Sequence, residues 1–257
     1  GAAAEPAEPY EQLLYPAVEP FATARHETSD GHSLYYEQVG NPSGVPILFV
    51  HGGPGNGCGE NDRRFFDPEC FRVILVDQRG CARSTPLGKL ENNNIDALCD
   101  DFEAIREALG IEAWHVFGGS WGSTLSLYYA QQHPARCLSL TLRGIFLMRD
   151  QDVDYWMYQV RHTFPEEWKR FNEFIEPAQR TDLHAAYLRL LTGGEGRARA
   201  VEAAKAWATY ELNCCTLVPN AAFAAAAEDD DAALALALME AVYFRDCRPE
   251  LLEVRFS

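Results

Sequence analysis

The sequence lacks three features that would each assign it to a particular class of protein. It contains no run of 18 apolar residues, so we expect no membrane-spanning helix. Its 22 basic side chains against 38 acidic ones leave a net charge of −16, which argues against nucleic acid or anionic lipid as a partner. Its eight cysteines form neither C-x-x-C pairs nor a disulfide-framework spacing, which indicates free thiols in a reducing compartment.

What remains is the composition of an acidic globular protein. A chain of 257 residues with 47% hydrophobic and 23% charged residues can bury a large core, enough for one α/β domain with an inserted subdomain. Residues 1–13 are rich in Ala, Glu and Pro and are predicted to form a disordered leader. We expect a cytoplasmic protein; a leader left by removal of a targeting peptide would instead indicate an organelle.

One short stretch carries the strongest chemical signal. Residues 118–122 read G-G-S-W-G and match the pattern G-x-S-x-G. They follow a short β-forming run at 113–117 and precede a run with helical spacing at 123–133. This order predicts a nucleophile elbow, which presents Ser120 to solvent at the carboxyl end of a sheet. A pattern with so few fixed positions also arises by chance, so other parts of the sequence must support it.

Strands and helices alternate around this stretch. The alternation predicts a mostly parallel α/β sheet with right-handed crossovers, formed by a core domain at residues 14–150. The expected elements are two strands within 21–39 around a turn at 29–31, buried strands at 47–50, 71–76 and 138–142, and a helix at 95–109.

The character of the sequence changes after this core. Residues 151–246 show long helical patterns and no convincing buried strand, so we predict an all-helical lid subdomain. Within it, the acidic residues 228–231 are typical of a turn or a helix start, followed by a helix at 232–239. Residues 247–257 form a divergent C-terminal tail.

A glycine-rich loop completes the chemistry that the elbow suggests. Acyl transfer needs an activated nucleophile, two N–H donors for the developing oxyanion, and a base held by a third group. The residue after the nucleophile, Trp121, supplies one N–H by the usual elbow geometry. Residues 51–55, H-G-G-P-G, follow an earlier strand and can bring a second N–H, that of Gly53, to the substrate. Glycines at a strand end also make tight turns without any role in binding.

These blocks together resemble a known family. H-G-G-P-G at 51–55, D-Q-R-G at 77–80, G-G-S-W-G-S at 118–123 and R-G-I-F at 143–146 look like proline iminopeptidase, a serine aminopeptidase of the α/β-hydrolase fold. The resemblance runs from about residue 14 to about residue 244. It implies release of N-terminal proline from peptides without a metal or an organic cofactor. It also implies that Ser120 is the nucleophile, Gly53 and Trp121 are the oxyanion donors, and Phe146 lines the pocket for the proline ring.

Two further blocks resemble the family's substrate-binding segments. A-W-A-T-Y-E at 206–211 and L-M-E-A-V-Y-F at 238–244 each contain a glutamate, Glu211 and Glu240. The resemblance implies that these carboxylates hold the positively charged amino terminus of the substrate. An ammonium that leaves water needs anionic acceptors, and such a site rejects blocked amino termini. Without the resemblance, base rates favour an exposed helix residue for each glutamate.

The sequence departs from the family pattern at several points. Ala82 stands where the family usually has glycine, so the backbone there must avoid positive φ or tolerate strain. Tyr210 replaces a common tryptophan. The family's catalytic Asp and His follow the lid, and no part of this sequence matches them, so we expect the chain to be truncated before them. None of its seven histidines matches the triad position, which leaves the lid histidines His162 and His184 as the alternative base.

This departure affects the expected fold and activity. A sheet that lacks its last strands would leave residues 138–142 as an unpaired apolar edge. The main hypothesis is a prolyl aminopeptidase acting on peptides with N-terminal proline, in a chain that lacks the general base and acid. The alternatives are a truncated or non-catalytic peptide-binding relative, a general esterase and an epoxide hydrolase; the last is disfavoured because those enzymes generally place Asp at the elbow. The oligomeric state is not indicated by the sequence.

Overall fold

The computed structural model describes residues 13–216 and 227–247, which build a mixed six-stranded sheet flanked by helices. Strands β3 to β6 run parallel to one another, while β2 runs antiparallel to both of its neighbours, β1 and β4. The mostly parallel sheet is therefore confirmed. The strand order is β1-β2-β4-β3-β5-β6. The strands are β1 (Ala22–Glu27), β2 (Ser33–Gly40), β3 (Val45–Val50), β4 (Phe71–Val76), β5 (Trp114–Gly119) and β6 (Cys137–Arg143).

The central strands β3 and β4 are apolar on both faces because helices or aromatic residues cover both sides of the sheet. On one face, Leu48 and Ile74 pack with residues of the helices that follow β4 and β5. On the other face, Phe49 and Val73 pack in a separate cluster with half-buried aromatic residues that include Phe117. The sheet therefore lies between two hydrophobic cores.

Two helices of the core domain follow the predicted pattern closely. Helix α1 (Ile95–Ala108) begins at Asn94, whose side chain accepts a hydrogen bond from the Ala97 N–H, 3.0 Å away. It ends just before Gly110, which adopts φ +66. Helix α2 (Trp121–Gln132) begins two residues earlier than predicted, because the turn that ends β5 lies inside the G-x-S-x-G motif.

The part of the chain after β6 is helical, as predicted. No strand occurs after Arg143 within residues 144–216 and 227–247. Asp229 caps the last helix with its side chain, which confirms the helix start predicted in the acidic segment. The predicted leader 1–13 and tail 247–257 lie outside the described residues except for Leu13 and Cys247. The helices are α3 (Asp150–Asp154), α4 (Pro165–Phe174), α5 (Leu183–Leu191), α6 (Arg197–Cys214) and α7 (Asp230–Asp246).

The strand β6 forms an edge of the sheet within the described residues. It pairs with β5 alone there. Leu138 and Leu140 on this strand keep 57% and 37% of their surface exposed. The apolar open edge that the sequence predicts is therefore present in this part of the chain.

The backbone at Ala82 has a positive φ and tolerates the strain, which is one of the two alternatives that the sequence allowed. Its φ is +43, in the left-handed region that side chains other than glycine adopt only at a cost. Its methyl group packs over Gly57, where a Cβ would lie 2.3 Å from the Cβ of Ala82. Gly57 thus leaves room for the methyl group of Ala82, at a position where the family usually has glycine.

Candidate active site

Ser120 lies on a strained turn between β5 and α2. Its φ of +56 and ψ of −126 fall outside the regions that ordinary residues prefer. The Ser120 N–H donates to the Arg143 carbonyl oxygen, 3.1 Å away, which ties the turn to the end of β6. The residue is exposed. This is the conformation that a nucleophile elbow requires.

The motif glycines are needed because three segments meet closely around the turn. A Cβ at Gly122 would lie 2.2 Å from the Val50 carbonyl oxygen at the end of β3. A Cβ at Gly118 would lie 2.3 Å from the Gly122 carbonyl oxygen. Any larger side chain at either position would push α2 away from the sheet and displace Ser120.

The glycine-rich loop after β3, residues 51–55, which is the predicted oxyanion loop, borders the same serine. A Cβ at Gly52 would lie 3.8 Å from Ser120 Oγ, so the two backbones are in near contact. The next residue, Gly53, has φ +106, which only glycine adopts without strain. Trp121 is the first residue of α2, so its N–H belongs to the first-turn amides that a helix leaves without an internal partner. The structure therefore brings Gly53, Trp121 and Ser120 together at one edge of the sheet.

A buried hydrogen-bond network fixes this loop against the elbow. Gln78 donates from its backbone N–H to His51 Nε2 and from its side chain to the His51 carbonyl oxygen, both 3.0 Å away. The Gln78 Oε1 accepts from Trp121 Nε1 at 2.9 Å. Because Nε2 accepts, the proton of the neutral ring is assigned to Nδ1, which lies 2.8 Å from the Gly52 carbonyl oxygen. Gln78 therefore positions the oxyanion loop and the elbow relative to each other.

No histidine is hydrogen-bonded to Ser120 within the described residues, which include all seven histidines. His51 is buried, and burial lowers its pKa, so it stays neutral within its network. The lid histidine His184 lies 2.7 Å from the Ala241 carbonyl oxygen. His115 bonds Ser139 on the strand β6. None of the seven rings is hydrogen-bonded to Ser120 in this part of the chain.

Helix α7 lies across the elbow and the oxyanion loop. A Cβ at Gly55 would lie 2.8 Å from Leu236 Cα, which shows how closely the loop approaches the helix. The Tyr243 ring packs 5.0 Å from the Trp121 ring, centroid to centroid. Glu240 follows Leu236 by four residues, so both lie on the same face of the helix. The helix therefore holds Glu240 on the face that packs against the loop after β3.

Glu211 and Glu240 both lie in the interior, although base rates favour exposed helix positions for glutamate. Glu211 is 8% exposed and Glu240 is 1% exposed. The charge of Glu211 acts on Glu240, so the two carboxyl groups are close neighbours. Trp207 Nε1 donates to Glu240 Oε2 at 2.6 Å, whereas Glu211 Oε2 is buried and has no hydrogen-bond partner among residues 13–216 and 227–247. Burial raises the pKa of Glu211 to about 7, and burial together with the nearby charge of Glu211 raises the pKa of Glu240 further.

Phe146 is fixed at the start of the lid by the helix that carries the elbow. Its backbone N–H donates to Ser123 Oγ at 3.0 Å, and its carbonyl oxygen accepts from Thr124 Oγ1 at 2.5 Å. Its ring packs 5.8 Å from Phe244 of α7. Phe244 in turn packs against Trp156 at 5.3 Å and belongs to a buried aromatic cluster of the lid. An apolar wall therefore extends from the elbow helix to the acid pair.

Two positions of the candidate site are not indicated by the sequence. Trp207 precedes Glu211 by four residues on α6, and this spacing places them on one face, but the bond from Trp207 to Glu240 crosses between helices. Gln78 belongs to the D-Q-R-G motif, and nothing in that motif reveals its contacts with His51 and Trp121. Both side chains act through tertiary contacts that local patterns do not encode.

Neither a metal centre nor a membrane span is evident in the described part of the chain. Among residues 13–216 and 227–247, no three His, Cys, Asp or Glu side chains are grouped so as to hold a metal ion. In the same ranges, no helix has the length and apolar character that crossing a membrane requires.

Comparison with known proteins identifies the family. A family model described as the alpha/beta hydrolase fold matches residues 45–241. A proline iminopeptidase from Xylella fastidiosa is 47% identical over 91% of this chain and 74% of its own length. The Arabidopsis thaliana proline iminopeptidase is 43% identical over 91% of this chain and 62% of its own length. The chain belongs to the proline iminopeptidase family. The predictions of this family, of its hydrolase character and of the α/β-hydrolase fold are therefore confirmed.

Solved structures agree on the fold of this proline iminopeptidase family member. An epoxide hydrolase of the alpha/beta hydrolase superfamily, from a metagenome of a hot environment, covers 87% of this chain and 71% of its own with a TM-score of 0.51. Its sequence identity is 19%, so the likeness concerns the fold alone.

Proposed function

We propose that the protein is a serine aminopeptidase that releases N-terminal proline from peptides. The observation that carries this proposal is the position of Glu240 on α7, between contacts to the oxyanion loop and to Phe146. A buried carboxyl on a helix that packs against the solvent-exposed elbow suits a substrate with a cationic end and a nearby carbonyl.

Each residue of the candidate site takes one role in this proposal. Ser120 attacks the carbonyl of the proline residue, while the N–H groups of Gly53 and Trp121 stabilise the oxyanion. Glu211 and Glu240 bind the imino group, and Phe146 contacts the proline ring. The leaving peptide departs toward solvent, which is consistent with the exposure of Ser120. The apolar wall supports selection of a compact, hydrophobic ring over a polar side chain.

The described residues place no histidine in a hydrogen bond to Ser120. Because no histidine of the chain bonds Ser120, we propose that this chain reacts slowly by itself. Loss of a triad member typically lowers kcat by about 10⁴-fold to 10⁶-fold, with residual catalysis left by the oxyanion hole and substrate binding. This feature also supports a second candidate function, a peptide-binding relative that recognises N-terminal proline without cleaving it.

Hydrolysis of a proline aminomethylcoumarin amide tests the proposal. We expect slow release of the fluorophore that is lost in Ser120→Ala, and no release from the N-acetylated substrate, because the blocked nitrogen cannot carry a positive charge to Glu211. Glu211→Ala separates an aminopeptidase from a general esterase, since an esterase needs no acid pair. Absence of both turnover and covalent labelling of Ser120 by a fluorophosphonate would favour the peptide-binding candidate.

We also propose a cytoplasmic location and a division into a core at 14–150 and a lid at 151–246. The start of α3 at Asp150 supports the boundary. Fractionation of cells that express the protein tests the location.

A further inference from the structure

Helix α7 rests on the loop that joins β4 to α1, residues 77–94. A Cβ at Gly88 would lie 3.5 Å from Ala235 Cα, and a Cβ at Gly80 would lie 2.8 Å from Met239 Cε. Both glycines have positive φ, +69 and +70, so the backbone of the loop comes close to the helix where no side chain intervenes. Ala235 and Met239 are four residues apart and share one face of α7. The loop therefore supports this face of the helix.

Asn93 supplies the polar part of this support. Its Nδ2 donates to the Arg79 carbonyl oxygen at 2.9 Å and to the Lys89 carbonyl oxygen at 3.0 Å. The same nitrogen lies 3.5 Å from Met239 Sδ, and Oδ1 accepts from the Tyr243 hydroxyl at 2.8 Å. Carbonyl oxygens only accept, so the two of them fix the orientation of the amide. One half-buried side chain therefore joins two points of the loop to α7.

These contacts close a ring that includes the elbow. The Tyr243 ring packs edge-on against the Trp121 ring, with 77° between the ring planes. Trp121 Nε1 donates to Gln78 Oε1, and Gln78 precedes Arg79, whose carbonyl oxygen accepts from Asn93. Trp121 and Tyr243 are 0% and 3% exposed. Because buried groups are closely packed, α7 cannot shift relative to the elbow without breaking one of these contacts.

We propose that Asn93 is a positioning residue for substrate recognition, which holds α7 on the core so that Glu240 keeps a fixed distance from Ser120. The inference rests on the proposed function and deepens it. Asn93 acts through Tyr243, which follows Glu240 by three residues on the same helix. Without the amide, the contacts of the loop glycines with α7 remain, but they are apolar and do not fix a direction.

Calorimetric binding of L-prolinamide to Asn93→Leu tests the inference. Leucine has the same branched shape as asparagine and forms no hydrogen bond, so we expect the affinity to fall about tenfold. Tyr128→Phe is the matched control, because it removes a hydroxyl bond to Asp96 that joins α2 to α1 and involves no residue of α7. We expect this control to keep the wild-type affinity. Wild-type affinity in Asn93→Leu, or an equal loss in both variants, would overturn the inference.

Tyr243→Phe tests whether Asn93 acts through the helix. The variant loses the hydroxyl that Asn93 accepts from and retains the ring that packs on Trp121. We expect a loss of affinity of severalfold in Tyr243→Phe, and no loss beyond that of Asn93→Leu when the two substitutions are combined. Losses that multiply in the double variant would show that the two residues act independently and would contradict the proposed route. Near-ultraviolet circular dichroism verifies that each variant is folded.

Hydrogen exchange measured by mass spectrometry tests the hold on α7 without any ligand. We expect the amides of residues 230–246 to exchange on the order of tenfold faster in Asn93→Leu than in wild type, and those of α4 to be unchanged. Unchanged exchange in α7 would overturn the inference. Wild-type protein that binds no prolinamide would contradict the proposed function, and the exchange of α7 would still decide whether Asn93 holds the helix.

Discussion

At the scale of the residue, Trp207 makes two separable contributions, a hydrogen bond within the candidate site and ring packing in the lid. Its indole N–H fixes Glu240, while its ring belongs to the aromatic cluster of the lid. We expect Trp207→Phe to keep most of the packing and to weaken prolinamide binding about tenfold, since one hydrogen bond to the acid pair is lost. Isothermal calorimetry measures the affinity.

Tyr210→Phe is the matched control for this variant. Tyr210 lies on the same helix and donates from its hydroxyl to the Trp156 carbonyl oxygen at 2.6 Å. Loss of the Tyr210 hydroxyl removes one buried hydrogen-bond donor of the lid and leaves the bond between Trp207 and Glu240 in place. Both variants should lose about 1 to 3 kcal/mol of unfolding free energy, and only Trp207→Phe should lose affinity. Equal affinities in the two variants would contradict the positioning role of Trp207.

At the scale of the element, the exposed edge strand β6 is the part of the sheet most prone to association. Leu140 keeps 37% of its surface exposed. The backbone of β6 pairs with β5 alone within the described residues, so its other side is open. We expect Leu140→Lys to reduce concentration-dependent self-association while changing the unfolding free energy by no more than about 0.5 kcal/mol. Light scattering over a concentration series measures this. Leu87→Lys, at a similarly exposed leucine outside the strands, should have no such effect.

The elements also show how far the sequence determines the structure. Continuous apolar runs and a 3.6-residue period located β4 at its observed bounds and α1 to within one residue. The 3₁₀ helix Glu60–Phe65 was missed, because it has no buried residues and therefore no apolar period. The contacts of α7 with Gly55 and Trp121 could not be predicted from the sequence, since they depend on how the lid packs on the core. Motifs thus identified the site residues, while the pairing of Glu211 with Glu240 required the fold.

At the scale of the whole molecule, the acid pair should make stability depend on pH. The folded-state pKa of each glutamate is raised above its unfolded value, mainly by burial. The stabilising contribution is therefore complete below the unfolded pKa, near 4.5, and is lost as pH rises through about 7 for Glu211 and higher for Glu240. The free energy of unfolding should thus decrease from pH 5.5 to pH 8.

Glu240→Gln should remove the larger part of this dependence, since an amide does not titrate. Between pH 5.5 and pH 8, we expect wild type to lose more unfolding free energy than the variant does, because burial raises the pKa of Glu240 in the folded state. Urea denaturation at the two pH values measures the difference. An identical pH dependence in the two proteins would indicate that Glu240 titrates normally in the folded state.

The central claim is that one site joins the nucleophile Ser120 to the anion Glu211 across a bound proline residue. A crystal structure of the protein with L-prolinamide tests it most directly. We predict the proline nitrogen within about 3 Å of Glu211 Oε2. We also predict the carbonyl carbon about 3 to 3.5 Å from Ser120 Oγ. A ligand bound elsewhere, or one that contacts Glu211 with its carbonyl out of reach of Ser120, would contradict the account.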